Sequence, residues 1–223
     1  MSKLVWDATG TRLYENGVDH GVLYPQKDDG TYDTGVAWNG LTGVTESPDG
    51  AEPTDLWADN IKYASMRSAE TFGATIEAYT YPDEFAECDG SAEPVAGLRL
   101  GQQKRKPFGF VYRTNIGNDT ATDSDDGYKL HIIYNATASP SERAYETIND
   151  SPDAITFSWE VTTTPVAVKG YKPVSTITID STKIDSAKLT LIENKLFGTD
   201  AEGGNAATNP ELPSPDDLLD LID

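Results

Sequence analysis

The side chains able to do chemistry are few and scattered. Two adjacent carboxylate pairs, Asp83 with Glu84 and Asp125 with Asp126, are the raw material of general acid/base catalysis. That chemistry needs burial and pKa values pushed apart, which adjacency alone does not supply, so both pairs read as solvated or capping residues. Asp123-Ser124-Asp125-Asp126-Gly127 resembles part of a calcium loop but lacks the further ligand spacing and the closing bidentate Glu. It reads first as an Asx-rich turn, with cation binding left open. Cys88 is the single cysteine, has no basic neighbour within reach in sequence, and cannot form an internal disulfide. His20 and His131, the two histidines, are far apart, so zinc-ligand spacing is absent. No Gly-x-Ser-x-Gly, P-loop or dinucleotide fingerprint occurs. Catalytic, cofactor and metal sites are therefore not expected.

The remaining candidates point to contact rather than chemistry. His131, in Leu130-His131-Ile132-Ile133, reads as a barrel-facing or interface residue. Lys104-Arg105-Lys106 is the basic cluster of a chain with 37 acidic and 17 basic residues and a formal charge of −20. DNA affinity depends on Lys and Arg neutralising phosphates, so nucleic acid is disfavoured as a ligand and the trio reads as a partner for acids on a neighbouring subunit. Trp6, Trp38, Trp57 and Trp159 read as core or interface anchors before they read as a sugar platform.

The elements that must hold these residues are mostly strands. The 223 residues include 19 glycines and 13 prolines, and no apolar run exceeds three residues, so long helices, membrane-spanning helices and a cleaved signal are not expected. Residues 11–13 and 18–24 read as a hairpin about Glu15-Asn16-Gly17, residues 36–41 as a strand, and residues 42–60 as a long loop. In residues 71–79, Phe72, Ala74, Ile76 and Ala78 alternate with Thr71, Gly73, Thr75, Glu77 and Tyr79, the period of a strand with one apolar face. Residues 81–90 suit a short helical turn. Strands follow at 97–103, 108–115, 128–137, 155–164 and 174–179. In residues 155–164, Ile155, Phe157, Trp159 and Val161 alternate with Thr156, Ser158, Glu160 and Thr162. One longer helix is predicted after Asp185, with Leu189, Ile192 and Leu196 inward and Gly198 as its stop. The last twenty-five residues hold seven acids, no bases and three prolines, and read as a mobile arm whose Leu218, Leu219 and Leu221 can dock.

Taken in order, EPTDLWADNIKYA (52–64), GATIEAYTYPDEFAECDG (73–90), QQKRKPFGFVYRTNIGND (102–119) and the stretch 127–165 from GYKLHIIYNATASP to EVTTTP resemble the major tail, or tail tube, proteins of long-tailed phages and prophages of Gram-positive hosts. The likeness covers the whole chain and tips toward the non-contractile kind. It implies a mainly β fold, a β-sandwich or partial barrel with one flanking α-helix, over residues 1–198, with an acidic arm at 199–223. It implies hexameric rings that complete an inner β-barrel and stack into a tube, a structural role in the virion tail without enzymatic activity, and assembly in the host cytoplasm. The implied partners are further copies of the chain, a tape measure protein in the lumen, terminator and distal tail proteins at the ends, and double-stranded DNA in transit, with no membrane and no cofactor.

On that reading, alternation turns Thr71, Thr75, Glu77, Glu160 and Thr162 toward the lumen. Residues 1–6, the loop 42–60 with Trp57 and Asp59, the basic trio Lys104, Arg105 and Lys106, and Leu218, Leu219 and Leu221 become ring or inter-ring contacts. A carbohydrate-binding or adhesive β-sandwich is the alternative, and a concave cluster of exposed Trp and Tyr would mark it.

Overall fold

The computed structural model describes residues 3–120, 127–145, 147–148, 153–201 and 206–222. Most of the acidic loop at 123–127 lies outside them, as does the extreme N-terminus. In chain order the elements are β1 (Tyr14–Pro25), β2 (Val36–Trp38), β3 (Leu41–Gly50), β4 (Pro53–Ala58), β5 (Ile61–Arg67), β6 (Glu70–Ala78), α1 (Phe85–Cys88), β7 (Ala92–Val95), β8 (Leu98–Leu100), β9 (Phe108–Gly117), β10 (Gly127–Ala138), β11 (Phe157–Thr163), β12 (Thr176–Asp180), α2 (Ser186–Phe197) and α3 (Pro215–Ile222). One antiparallel sheet runs β2-β1-β9-β10-β11-β6-β3, with β12 also paired to β10. The fold is mainly β, as the sequence predicts.

The sheet curls until β3 meets β1, where a Cβ on Gly21 would collide with Leu41 and with the Trp38 carbonyl. Inside the curl, Leu23, Phe108, Phe110 and Ile133 pack against Ile76, Trp38, Trp159 and Phe85. On the outer side of β1, β9 and β10, a second core joins Val22, Tyr24, Val111, Leu130, Ile132 and Tyr134 to Leu189, Ile192 and Leu196 of α2. Strands buried on both faces carry continuous apolar runs, here Phe110-Val111-Tyr112 and Ile132-Ile133-Tyr134. A bulge at Asn135 (φ 50°) bends β10 so that its same edge pairs first with β12 and then with β11. Asp185 caps α2 through the amides of Ala187 and Lys188, at 2.9 and 3.3 Å.

Three predicted elements differ. The expected hairpin at residues 11–24 is the single strand β1, paired along its length with β9. Gly17 (φ 69°) and His20 (φ 51°) absorb bulges there, so turn chemistry serves a bend within one strand. The expected loop at 42–60 is two strands, β3 and β4. The C-terminal segment is docked, giving two flanking helices instead of one. Ser214 and Asp217 cap α3 reciprocally, with the Ser214 hydroxyl donating to Asp217 at 2.7 Å. Leu218 is 2% exposed in the outer core. Leu212 lies over Gly109 so closely that a Cβ there would overlap it. The Tyr134 hydroxyl donates to the Pro213 carbonyl at 3.1 Å.

Candidate functional surface

Among the described residues, the outer face of β3, β6 and β11 is covered by no helix, and its residues form a ladder of rungs. Glu77 stands between Gly43 and Ser158, Thr75 between Thr45 and Glu160, Gly73 between Ser47 and Thr162, and Thr71 opposite Asp49. The intervening residues Ala74, Ile76, Ala78, Trp159 and Val161 are buried, because side chains alternate across a strand. Glu77, Glu160, Thr71 and Thr162 are exposed and Thr75 is half-buried. Asp49, Glu77 and Glu160 give this face three carboxylates, and its rung positions carry no Lys or Arg. Sequence reasoning missed the β3 contribution of Thr45, Ser47 and Asp49, because Glu46 and Pro48 on the inward side hide the period of two. Thr156 falls before β11 begins.

β3 ends the sheet order, so its second edge is unpaired among the described residues. Residues 157–159 of β11 pair only on their β6 side. The β3–β6 register, in which Gly50 faces Glu70, continues outward as Pro53 facing Arg67 and Leu56 facing Ala64. β3-β4 and β5-β6 are thus one ribbon, bent at Gly50 (φ 89°) and Ala51 (φ 58°) and turned at Asp59 and Asn60, both with positive φ. The two central positive φ values are those of a tight primed hairpin turn. Beyond the body, one ribbon face carries Thr54, Leu56, Ala64 and Met66, while the other carries Asp55, Ser65 and, past a bulge, Trp57 and Lys62. Lys62 and Asp55 pair at 2.7 Å. Trp57 is 69% exposed and Met66 61%.

The family described as phage tail tube protein matches residues 26–200 of the chain. The chain belongs to that family. It is a structural component of a phage tail. No curated protein matches the chain. Among solved structures it is similar to the PVC sheath/tube terminator of an extracellular contractile injection system in the extended state, at 12% identity and a TM-score of 0.32, over 79% of this chain and 99% of that one. It is also similar to the sheath-tube complex of the same system, at 11% identity and a TM-score of 0.31, over 79% and 94%. Likenesses this distant bear on no functional point.

In this tail tube protein several of the remaining candidate residues have partners within their own chain. Arg105 pairs with Asp89 at 3.3 Å and Lys106 with Glu87 at 2.5 Å, so two of the basic trio answer acids of their own chain, at the end of α1. Lys104 is exposed. Asp89 also accepts from Arg143, whose guanidinium lies over the Tyr81 and Phe157 rings. Leu218 is committed to the outer core, which corrects its reading as a free contact, and Leu219 and Leu221 are half-buried beside it. Cys88 is fully buried, and burial pushes its thiol up to about 12, far from a nucleophile. Asp83 and Glu84 are exposed, with Asp83 bound to Arg99. Trp38 and Trp159 are core, while Trp6 and Trp57 are exposed on separate segments.

Proposed function

We infer that six copies form a ring by joining the open edge of β3 to the next protomer's open sheet edge, so that the β3-β6-β11 faces close into an inner barrel, and that rings stack into a tube. The uncovered ladder of Asp49, Thr71, Thr75, Glu77, Glu160 and Thr162 carries this reading. A face backed by a full core yet left bare, bounded by an unpaired strand, is completed by ring closure, which removes the edges. As the lumen wall it repels the phosphates of passing double-stranded DNA and offers them no cation to hold, so transit is not slowed by binding.

Head-to-tail stacking of rings is a heterologous contact that does not close, hence a filament. The ribbon tip with Trp57 and Asp59, the N-terminal residues, Lys104, and the exposed sides of Leu219 and Leu221 serve as ring or inter-ring contacts. Residues 1–198 make the tube domain, and residues 199–223 an acidic arm folded back on it. The tail is of the long, non-contractile kind from a phage or prophage of a Gram-positive host. A tape measure protein occupies the growing lumen in the host cytoplasm, and terminator and distal tail proteins close the ends.

Negative-stain electron microscopy of the full chain at raised concentration, with sedimentation of the same sample, tests the reading. Six-fold rings or hollow tubes of uniform width are expected. Rings of another symmetry would overturn the hexamer. A species that stays monomeric even when seeded with preformed tail-tip complexes would overturn self-assembly.

A further inference from the structure

At the open end of the curled sheet, the inner face changes from apolar to polar. Tyr112 of β9 and His131 of β10 stand opposite each other in the ladder, with rings stacked 4.7 Å apart and 6° from parallel. The His131 side chain is only 12% exposed. Its Nε2 lies 3.0 Å from the Thr114 hydroxyl, while its Nδ1 is buried with no hydrogen-bond partner. Across the curl, Glu46 of β3 accepts the Tyr112 hydroxyl at 2.8 Å on the same Oε1 that sits 3.7 Å from His131 Nδ1.

With the Thr114 hydroxyl donating to Glu15 at 3.4 Å, its oxygen accepts from His131 Nε2–H, and the neutral imidazole turns an Nδ1 lone pair toward that carboxylate. A buried acceptor facing an acceptor is unfavourable, and a proton on Nδ1 converts it into a charged donor facing an anion. The nearby imidazole, followed by the Tyr112 hydroxyl, holds the Glu46 carboxyl below the usual range against the opposing pull of burial. Glu46 therefore keeps its charge over the pH range in which imidazoles titrate.

We propose that His131 and Glu46 form a proton-operated clamp, in which a proton taken up on His131 Nδ1 closes onto Glu46 and ties β3 to the β9–β10 layer. β3 is both the open edge of the sheet and the root of the ribbon. The clamp thus sets how firmly those two features are held. It is a property of the single chain and stands apart from tube formation. Glu15 of β1 reaches Thr114 at 3.4 Å and is paired with Lys129 of β10, and Thr178 of β12, opposite His131, is uncharged.

Hydrogen exchange of the β3 amides in the full chain, corrected for intrinsic rate, is measured from pH 8 to pH 5.5 alongside an NMR titration of the imidazoles. In the wild type, protection across residues 44–47 is expected to rise about tenfold as the pH is lowered and His131 takes up a proton, the scale of a hydrogen bond between charged groups. His131→Gln and Glu46→Gln are both expected to lack this rise, while Glu46→Gln keeps an acceptor for Tyr112. His20→Gln removes the other histidine, which is paired with Asp19 at 2.9 Å, and is expected to respond like the wild type. Equal β3 responses in the wild type and Glu46→Gln, or a His131 titration that leaves β3 unchanged, would overturn the clamp. If His131→Gln fails to fold, those two comparisons decide the matter.

Discussion

β9 and β10 differ from β6 and β11 in what lies on each side of them. The first pair sits between the inner core and the layer of α2 and α3, and is apolar on both faces along Phe110-Val111-Tyr112 and Ile132-Ile133-Tyr134. The second pair has the same inner core on one side and, among the described residues, an uncovered face on the other. The same curled sheet is therefore closed where helices cover it and open where they do not. Its open part carries the strict alternation, with short polar side chains and carboxylates outward. A bare face of this kind is under no packing constraint from its own chain, so its composition reflects what it meets outside.

The sharpest way to break the comparison is to put the same charge on neighbouring residues of opposite faces. Ile76→Lys buries an unpaired cation against Trp159 and Trp38 and is expected to abolish folding, read as loss of the cooperative thermal transition and of soluble expression. In the helix-covered half, Leu218→Ala should cost about 2–4 kcal/mol by opening a cavity under α3, measured by denaturant unfolding. An unchanged stability there would mean that the C-terminal segment is dispensable to the fold. Asp185→Ala removes the α2 cap and should cost about 1 kcal/mol in the same assay.

A smaller effect belongs to Asp180, whose carboxyl is held down to about 2 by the Thr182 hydroxyl and Lys183. Its folded pKa lies below its unfolded value, so its stabilisation is full above about pH 4 and is lost as pH falls toward 2. Asp180→Asn should accordingly flatten the acid limb of a stability profile. Glu77→Lys, one residue from the most disruptive change, should alter stability by no more than about 0.5 kcal/mol. In assembled tubes it should retain DNA in a salt-dependent manner, measured by retention at low and high ionic strength.

This contrast also governs how much of the molecule was legible in the sequence. The half-open strands announce themselves, since Phe72 to Ala78 and Phe157 to Val161 alternate cleanly and the structure keeps that period. α2 was equally plain, because Asp185, Leu189, Ile192, Leu196 and Gly198 carry cap, face and stop within one local stretch. What was hidden depends on distant partners. The α3 segment looks free until Gly109, about a hundred residues earlier, is seen to leave room for Leu212. Glu15-Asn16-Gly17 has turn chemistry, and only pairing with β9 makes it a bulge. The first arm of the ribbon, residues 42–60, was read as loop because both faces of its outer half meet solvent, so burial imposes no pattern on it. The Glu46–Tyr112–His131 group left no trace, being assembled from three strands.

The unbroken register of the ribbon constrains how such a protein can change over generations. Pairing keeps the same count from Gly43 opposite Glu77 out to Leu56 opposite Ala64. A one-residue insertion in either arm would exchange the two faces of everything beyond it. Viable length variants should therefore come in matched steps of two residues per arm, each moving the tip by about 7 Å. The reach of the ribbon is quantised, and lineages that lengthen or shorten it must do so in jumps.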